Sequence, residues 1–238
     1  MPDQLQLRGG TSSEHNSFTG AAREVTVDTT KKTVVVHDGS TAGGTPLMKE
    51  AGHSGDVIFN NVTVGKGANS QSGNTVLGES ALDANTNGTN NTAIGKNSLT
   101  EITSGYQNVG VGSGAGDSIT TANSNTAIGA DSLTAVTTQS GNTAIGKDAL
   151  KANTQILNTA VGSDAATSNT TGSNIVAIGT LALTANTTGS QNNAFGYQAL
   201  TSNTTGNTNT AVGHASLYAN TTGTQNTAVG ANALDANT

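Results

Sequence analysis

Several components of ordinary globular proteins are missing from this sequence. It contains no cysteine and no tryptophan, and only 3% of its 238 residues are aromatic and 10% are charged. The absence of cysteine excludes disulfide bonds, thiolate metal sites and cysteine nucleophiles. The low charge and the 31 glycines exclude a coiled coil or a helical bundle, because such sequences are rich in alanine, leucine, glutamate and lysine.

Segments that would place the chain in a membrane or on nucleic acid are also lacking. No run approaches the roughly 18 apolar residues of a membrane span. The first ten residues, MPDQLQLRGG, lack the basic and apolar regions of a secretory signal. A formal net charge of −6 opposes binding to nucleic acid. We therefore expect neither membrane insertion nor a nucleic-acid partner.

A 17-residue repeat fills the chain from about residue 61 onward. The pentapeptide NTAIG at residues 91–95 returns in similar form, and its closing glycine recurs at intervals of 16 or 17 residues from Gly78 to Gly230. β-Branched runs are typical of strands, and the NTTG segments between them are typical of turns. A fixed period predicts a repeat protein. We predict an all-β fold with a parallel β-solenoid (β-roll), in which two short strands and two turns form each 17-residue coil.

Two apolar positions in each period define the predicted core. One precedes the closing glycine, and the other lies four residues after it and is usually leucine. Stacked coils align these positions ~4.8 Å apart and pair asparagine amides along the axis. Two large apolar residues per coil are few for a free-standing tube, so we expect self-association, although the period leaves the number of chains open. The predicted core residues are Val64, Leu77, Ile94, Val111, Ile128, Ile145, Val161, Ile178, Phe195, Val212 and Val229, together with Leu82, Leu99, Leu133, Leu150, Leu183, Leu200, Leu217 and Leu234.

The first 50 residues do not follow the repeat. Residues 24–28 and 32–37 alternate in the manner of two strands, and the polar residues 29–31 between them predict a hairpin. Turns are expected at residues 38–39 and 43–46, where glycine and proline gather. We therefore predict a small N-terminal β-domain at residues 1–50, a linker at 51–60 and a solenoid shaft at 61–238.

Four motifs follow one another in the N-terminal segment: LQLRGGT at residues 5–11, FTG at 18–20, EVTVDT at 24–29 and KTVVVHDG at 32–39. Their order resembles the N-terminal domain shared by phage tail fibres and phage major tropism determinants. That resemblance implies a small, trimer-associated β-domain that joins a fibre to the virion. The repeats from about Asp56 onward are similar to the head repeats of trimeric autotransporter adhesins, which have a shorter period, and to longer versions in phage tail fibres.

Together the two resemblances imply a homotrimeric phage tail fibre. Such a fibre is part of the virion, is anchored to a tail or baseplate protein through residues 1–50, and supports host attachment outside the host cell. A host surface glycan and a separate tip protein are further partners that the sequence suggests. Because the sequence stops within a repeat at residues 235–238, we expect either a longer natural chain or a tip protein at that end.

Two alternatives stay open. An ice-binding solenoid is suggested by threonines that recur at one position of the repeat, with breaks at Val109 and Asn193. A bacterial surface adhesin is the other alternative, and the missing export signal counts against it. The recurring threonines are Thr75, Thr92, Thr126, Thr143, Thr159, Thr210 and Thr227.

Candidates for catalysis or ligand binding are sparse. Residues 165–234 contain no Asp, Glu, Lys or Arg, His37 belongs to a strand end, and His53 and His214 lack partners at metal-ligand spacing. The GHSGD segment at 52–56 and the glycine-rich run at 110–116 fit a linker and a coil better than a triad or a phosphate loop. We predict no enzyme and no catalytic, metal or cofactor site. The scattered carboxylates of the repeat are Glu79, Asp83, Glu101, Asp117, Asp131, Asp148 and Asp164.

Overall fold

The computed structural model describes residues 8–19, 25–29, 33–37, 40, 42, 45–46 and 56–237. The chain divides into two compact units, Met1–Ser54 and Gly55–Thr238. The described residues form sixteen strands beside one short α-helix and one turn of 3-10 helix. The predicted all-β class is confirmed.

The first unit contains a four-stranded sheet and the short helix. Its elements are β1 (Arg8–Gly10), α1 (Ser12–Ser17), β2 (Val25–Asp28), β3 (Thr33–Val36) and β4 (Thr45–Pro46), and the sheet order is β1-β2-β3-β4. Strands β2 and β3 pair antiparallel, which confirms the predicted hairpin, and β1 lies parallel to β2. Thr11 and Glu14 cap the start of the helix, since the Thr11 backbone N–H donates to Glu14 Oε2 at 2.7 Å.

His37 belongs to a small core in this unit. Val35, Thr26 and His37 are all buried. The Thr26 hydroxyl lies 3.0 Å from Nε2 of His37, and the Phe18 ring meets the imidazole edge-on with 5.1 Å between the centroids. The hydrogen bond satisfies a buried polar ring, so this histidine is part of the packing of the unit.

The chain after β3 differs in part from the predicted turns. The sequence predicts a turn at Thr45 and Pro46, but these residues form β4 and pair antiparallel with Val36 and Val35. Because β4 is the edge strand of the sheet, the missing backbone N–H of proline removes no ladder hydrogen bond on its outer side. The predicted turns at residues 38–39 and 43–44 lie outside the described residues.

A β-hairpin opens the second unit. Strands β5 (Val57–Phe59) and β6 (Val62–Gly65) pair antiparallel across Asn60 and Asn61, which both have positive φ as in a type I′ turn. Strand β5 therefore lies inside the segment 51–60 that the sequence predicts as a linker. Strand β6 also pairs antiparallel with the strand that follows the 3-10 helix (Ala68–Ser70), so it does not begin a solenoid coil. Gly65 ends this antiparallel strand, so its spacing to Gly78 is shorter than the repeat interval.

Ten parallel strands make up the rest of the second unit, one in each coil. They pair in register, so that Ala127 lies beside Ala144 and Ile128 lies beside Ile145. With β5 and β6 they form a 12-stranded sheet in sequence order, which confirms the parallel solenoid. The ten strands are β7 (Thr75–Gly78), β8 (Thr92–Ile94), β9 (Val109–Val111), β10 (Thr126–Ile128), β11 (Thr143–Ile145), β12 (Thr159–Val161), β13 (Val176–Ile178), β14 (Asn193–Phe195), β15 (Thr210–Val212) and β16 (Thr227–Val229).

The prediction of a second strand in each coil is wrong. The segment around the repeated leucine forms turns, and these leucines have φ between +49° and +56°. A left-handed residue at this point bends the chain sharply, and the leucine side chain, fully buried at Leu133, fills the coil. Its burial offsets the roughly 1–2 kcal/mol cost of the left-handed backbone.

Most polar groups inside the solenoid are satisfied by a neighbouring coil, and the buried Ser98 hydroxyl is an exception without a partner. Backbone N–H groups along the coils donate to carbonyl oxygens of the next coil or the preceding one. Oδ1 of Asn108 accepts hydrogen bonds from the backbone N–H and from Nδ2 of Asn125, at 3.0 and 3.3 Å. In a second ladder, Nδ2 of Asn203 donates to Oδ1 of Asn186 at 2.9 Å. The predicted pairing of asparagine amides along the axis is confirmed.

Candidate functional site

Each solenoid strand turns its middle residue inward and its flanking residues outward. In β10, Ala127 is fully buried, whereas Thr126 and Ile128 are partly exposed. Side chains alternate across a strand, so the two flanking residues share one face of the sheet. The interior holds the alanines of the strands and the leucines of the turns, which together close a thin coil.

The two predicted core rows are therefore placed differently. All the predicted leucines from Leu82 to Leu217 are fully buried, but Leu234 in the last coil is exposed. The row before the closing glycine lies outside the coil, because the small middle residue of each strand takes the interior position. Within that row, Ile94, Val111, Ile128, Ile145 and Val161 are partly buried. The exposed fraction reaches 37–71% at Val64, Leu77, Ile178, Phe195, Val212 and Val229.

The outer sheet face is the name used below for the first and third residues of strands β7 to β16. Its first row is mostly threonine, and its second row consists of isoleucine, valine, leucine and phenylalanine. No residue of either row is charged. Ten strands spaced ~4.8 Å apart extend the face over about 43 Å. The single chain thus presents a long, uncharged surface in which an apolar row runs beside a row of threonines.

A surface groove across the first coils gathers three of the carboxylates. Asp83, Glu101 and Asp117 line it together with serine, threonine and asparagine side chains. Burial raises the pKa of Asp117, and repulsion from Asp131 and Glu101 adds to the effect, whereas hydrogen bonds from Ser118 oppose it. Among the described residues, no three His, Cys, Asp or Glu side chains are grouped to hold a metal ion.

A second charged cluster lies on the shoulder of the solenoid. The shoulder is defined here as the residues one, two and five places after each closing glycine, which are Lys147, Asp148 and Lys151 in the coil that begins with β11. Nζ of Lys151 donates to Oδ1 of Asp148 at 2.7 Å, and the Lys147 ammonium binds the other oxygen. Hydrogen bonds from Lys147 and Lys151 hold the pKa of Asp148 below its usual range. In this coil the side chains of the three shoulder residues therefore converge in space.

Opposite effects on stability are expected from Asp117→Asn and Asp148→Asn at pH 7. The pKa of Asp117 is raised by folding, so its ionised form destabilises the fold at neutral pH, and this penalty disappears as the pH falls toward 3.8. The pKa of Asp148 is lowered, so its stabilising contribution is present above 3.8 and is lost as the pH falls through the folded value. Thermal unfolding at pH 7 is expected to show a higher Tm for Asp117→Asn and a lower Tm for Asp148→Asn. Each change should stay within about 1 kcal/mol, and shifts of the same sign in both variants would contradict the assignment.

Other residues singled out in the sequence have structural places. The glycine-rich run at 110–116 contains part of strand β9 and the turn after it, as the repeat requires. Oδ1 of Asp56 accepts a hydrogen bond from the backbone N–H of Lys66 at 2.6 Å, and residues 52–55, which include His53, lie outside the described residues. No helix in the described part of the chain is long and apolar enough to cross a membrane.

The first unit is similar to a known phage domain. Residues 5–41 match the family model of the major tropism determinant N-terminal domain. The N-terminal resemblance is confirmed. The matched range includes strands β1 to β3 and the buried His37 of the tropism-determinant-like unit.

Phage relatives match a small part of the chain. A tail fiber receptor-binding protein of Bordetella phage BPP-1 is 65% identical over 49 residues, which are 21% of this chain and 13% of that protein. Solved structures of the U1 and M1 variants of the major tropism determinant are 46% identical over 27% of this chain and 20% of theirs, with TM-scores of 0.18 and 0.19. The chain thus matches a fifth or less of the length of these relatives.

Proposed function

We propose that this protein is a homotrimeric phage tail fibre, a virion component without enzymatic activity that acts outside the host cell in host attachment. The observation that carries the proposal is the 65% identity to a tail fiber receptor-binding protein. In this proposal residues 1–50 bind a tail or baseplate protein, and the solenoid is the shaft. A host surface glycan or a separate tip protein is the partner at the host side.

The outer sheet face supports self-association of the shaft. Contiguous apolar patches of this length are rare on monomeric proteins, where they usually mark an interface. Identical chains related by rotation present the same face to one another, and closed symmetry covers all copies equally. Solenoid stability is a sum of neighbouring interfaces, so covering this face adds the apolar burial that the thin interior lacks. The choice of three chains comes from the resemblance to trimeric fibres.

Immunogold labelling of virions from the source of this sequence tests the placement. An antibody raised against residues 61–238 is expected to label the tail end of the particle, and preincubation with the purified chain should remove the label. Virions that contain the protein by mass spectrometry but are labelled on the head would contradict the proposal, as would virions that contain none of it.

We expect no thermal hysteresis from the purified protein at millimolar concentration. The threonines of the outer sheet face form a row that resembles an ice-binding surface, but Val109, Val176 and Asn193 interrupt it. The apolar row beside the threonines is covered in the proposed assembly, and ice cannot reach a covered face. Ice-crystal growth in a nanolitre osmometer is the measurement, with albumin at equal concentration as the control. A clear hysteresis gap would favour the ice-binding alternative.

A further inference from the structure

An exposed aromatic patch lies on the shoulder of two late coils. The rings of Tyr197 and His214 stack with 5.6 Å between centroids and 19° between planes. They occupy the same shoulder position in adjacent coils, one place after Gly196 and Gly213. Tyr197 is 47% exposed. Exposed aromatic rings are unusual in a chain with 3% aromatic residues, so their clustering here calls for a physical reason.

A third aromatic residue occupies another shoulder position in the coil of His214. In the coil of β11, the shoulder residues one and five places after the closing glycine are Lys147 and Lys151. Both bind Asp148, the shoulder residue two places after that glycine. In the coil of β15 the equivalent three residues are His214, Ala215 and Tyr218. His214 and Tyr218 therefore occupy the two positions whose side chains meet at the middle residue in the coil of β11, and here that middle residue is the small, buried Ala215.

Amide groups complete the surroundings of this alanine along the solenoid axis. The residues equivalent to Ala215 in the preceding and following coils are Gln198 and Asn232. Backbone hydrogen bonds fix this order, because the Ala215 N–H donates to the Tyr197 carbonyl at 2.9 Å and the Asn232 N–H donates to the His214 carbonyl at 2.8 Å. Ala215 thus lies between two longer amide residues along the axis, beside the stacked rings of Tyr197 and His214. The aromatic notch is formed by Tyr197, Gln198, His214, Ala215, Tyr218 and Asn232.

The charge around the notch restricts the class of ligand. Residues 165–234 contain no Asp, Glu, Lys or Arg, and the charged shoulder residue of the next coil is Asp235, so neither Lys nor Arg is available to an anionic ligand. Ligand sites combine apolar and aromatic walls with a few placed polar groups that fix orientation. Aromatic rings stack on the C–H faces of pyranose rings, while amides donate to and accept from sugar hydroxyls. An uncharged sugar satisfies both requirements.

We propose that the aromatic notch binds a neutral oligosaccharide. A pyranose ring stacks between the Tyr197–His214 pair and Tyr218, and its hydroxyls hydrogen-bond to the amides of Gln198 and Asn232. The biological use of the site as a host-recognition contact rests on the proposed function, whereas the binding itself does not. In a trimer the notch is present three times, so weak single contacts are strengthened by avidity on a glycan-covered surface.

Saturation-transfer NMR with the full 238-residue chain tests the site. The probes are neutral hexasaccharides of glucose, mannose, galactose and N-acetylglucosamine, and a galacturonate hexamer serves as the charged counterpart. At least one neutral probe is expected to receive saturation at its C–H protons, and Tyr197→Ala and Tyr218→Ala should each weaken that binding at least about tenfold. Tyr106→Ala is the matched control, because Tyr106 is also 47% exposed but lies in an early coil outside the notch.

Three results would overturn the proposal. In the first, no neutral probe binds. In the second, galacturonate binds as strongly as the neutral probes or more strongly. In the third, Tyr106→Ala weakens binding as much as Tyr197→Ala and Tyr218→Ala do. Circular dichroism of each variant confirms that the solenoid is intact before binding is compared. If no neutral sugar binds but virions are labelled at the tail, the proposed sugar site is rejected and the proposed tail fibre is retained. If a neutral sugar binds but virions contain none of the protein, the proposed tail fibre is rejected and the proposed sugar site is retained.

Discussion

The Gly129→Ala substitution is expected to lower the free energy of unfolding by more than about 4 kcal/mol, an exceptional loss for a single methyl group. Gly129 has φ of +130°, a conformation that L-residues rarely adopt. A Cβ placed there would lie 2.5 Å from the carbonyl carbon and oxygen of Gly146 in the next coil and 2.9 Å from the backbone nitrogen of Lys147. Since these are backbone atoms of a hydrogen-bonded stack, they cannot move aside without opening the ladder.

The equivalent substitution Gly230→Ala separates stacking from backbone conformation. Gly230 has a similar φ of +123°, but the nearest atom to its added Cβ is the Cβ of Ala233 at 4.0 Å. Its expected cost is about 1–3 kcal/mol from the strained backbone alone. Chemical denaturation followed by circular dichroism gives both values. Equal losses in the two variants would show that close stacking of the closing glycines is not what holds the coils at their spacing.

The paired substitutions Leu133→Asp and Ile128→Asp are expected to fail in different ways. Leu133 is fully buried inside the coil, so an aspartate there is an uncompensated buried charge that costs several kcal/mol and unfolds the surrounding coils. Ile128 is partly exposed on the outer sheet face of the same coil. Its replacement should leave the single-chain solenoid folded and block association, because three carboxylates would face one another across the assembly.

Circular dichroism and molar mass measured on the same samples distinguish the two effects. Leu133→Asp should lose the β signal, whereas Ile128→Asp should keep it and elute as a single chain. Asp131→Asn, on the shoulder of this coil, is the control and should retain both the fold and the assembly. An Ile128→Asp variant that assembles as the natural chain does would place the interface elsewhere.

The repeat architecture could be predicted from the sequence because every coil repeats the same residue pattern at the same interval. A 17-residue interval with NTAIG at its start is enough to stack coils in parallel register and to align the asparagines. The sequence does not show that the apolar row before the closing glycine faces outward, because large apolar side chains are ordinarily expected in the interior. Alternation along the strand puts Thr126 and Ile128 on one face, and only Ala127 fits the thin interior.

Other features depend on information that residue types do not carry. Leucine has no preference for the left-handed conformation, so nothing in its identity indicated a turn at Leu133. The turn at Asn60 and Asn61 does carry a signal, because asparagine tolerates positive φ, and it marks the hairpin within the predicted linker. The aromatic notch requires knowing that residues one, two and five places after a closing glycine can meet in space, as they do in the coil of β11, which only the coil geometry reveals.

The absolute mass of the purified chain, measured by light scattering coupled to gel filtration, tests the proposed assembly most directly. A homotrimer has a mass of about 70 kDa, three times the 23.4 kDa of one chain. That mass, independent of protein concentration, is the predicted result, because the outer sheet face is covered only when chains associate. A monodisperse species of 23.4 kDa with intact β structure would contradict the trimeric fibre.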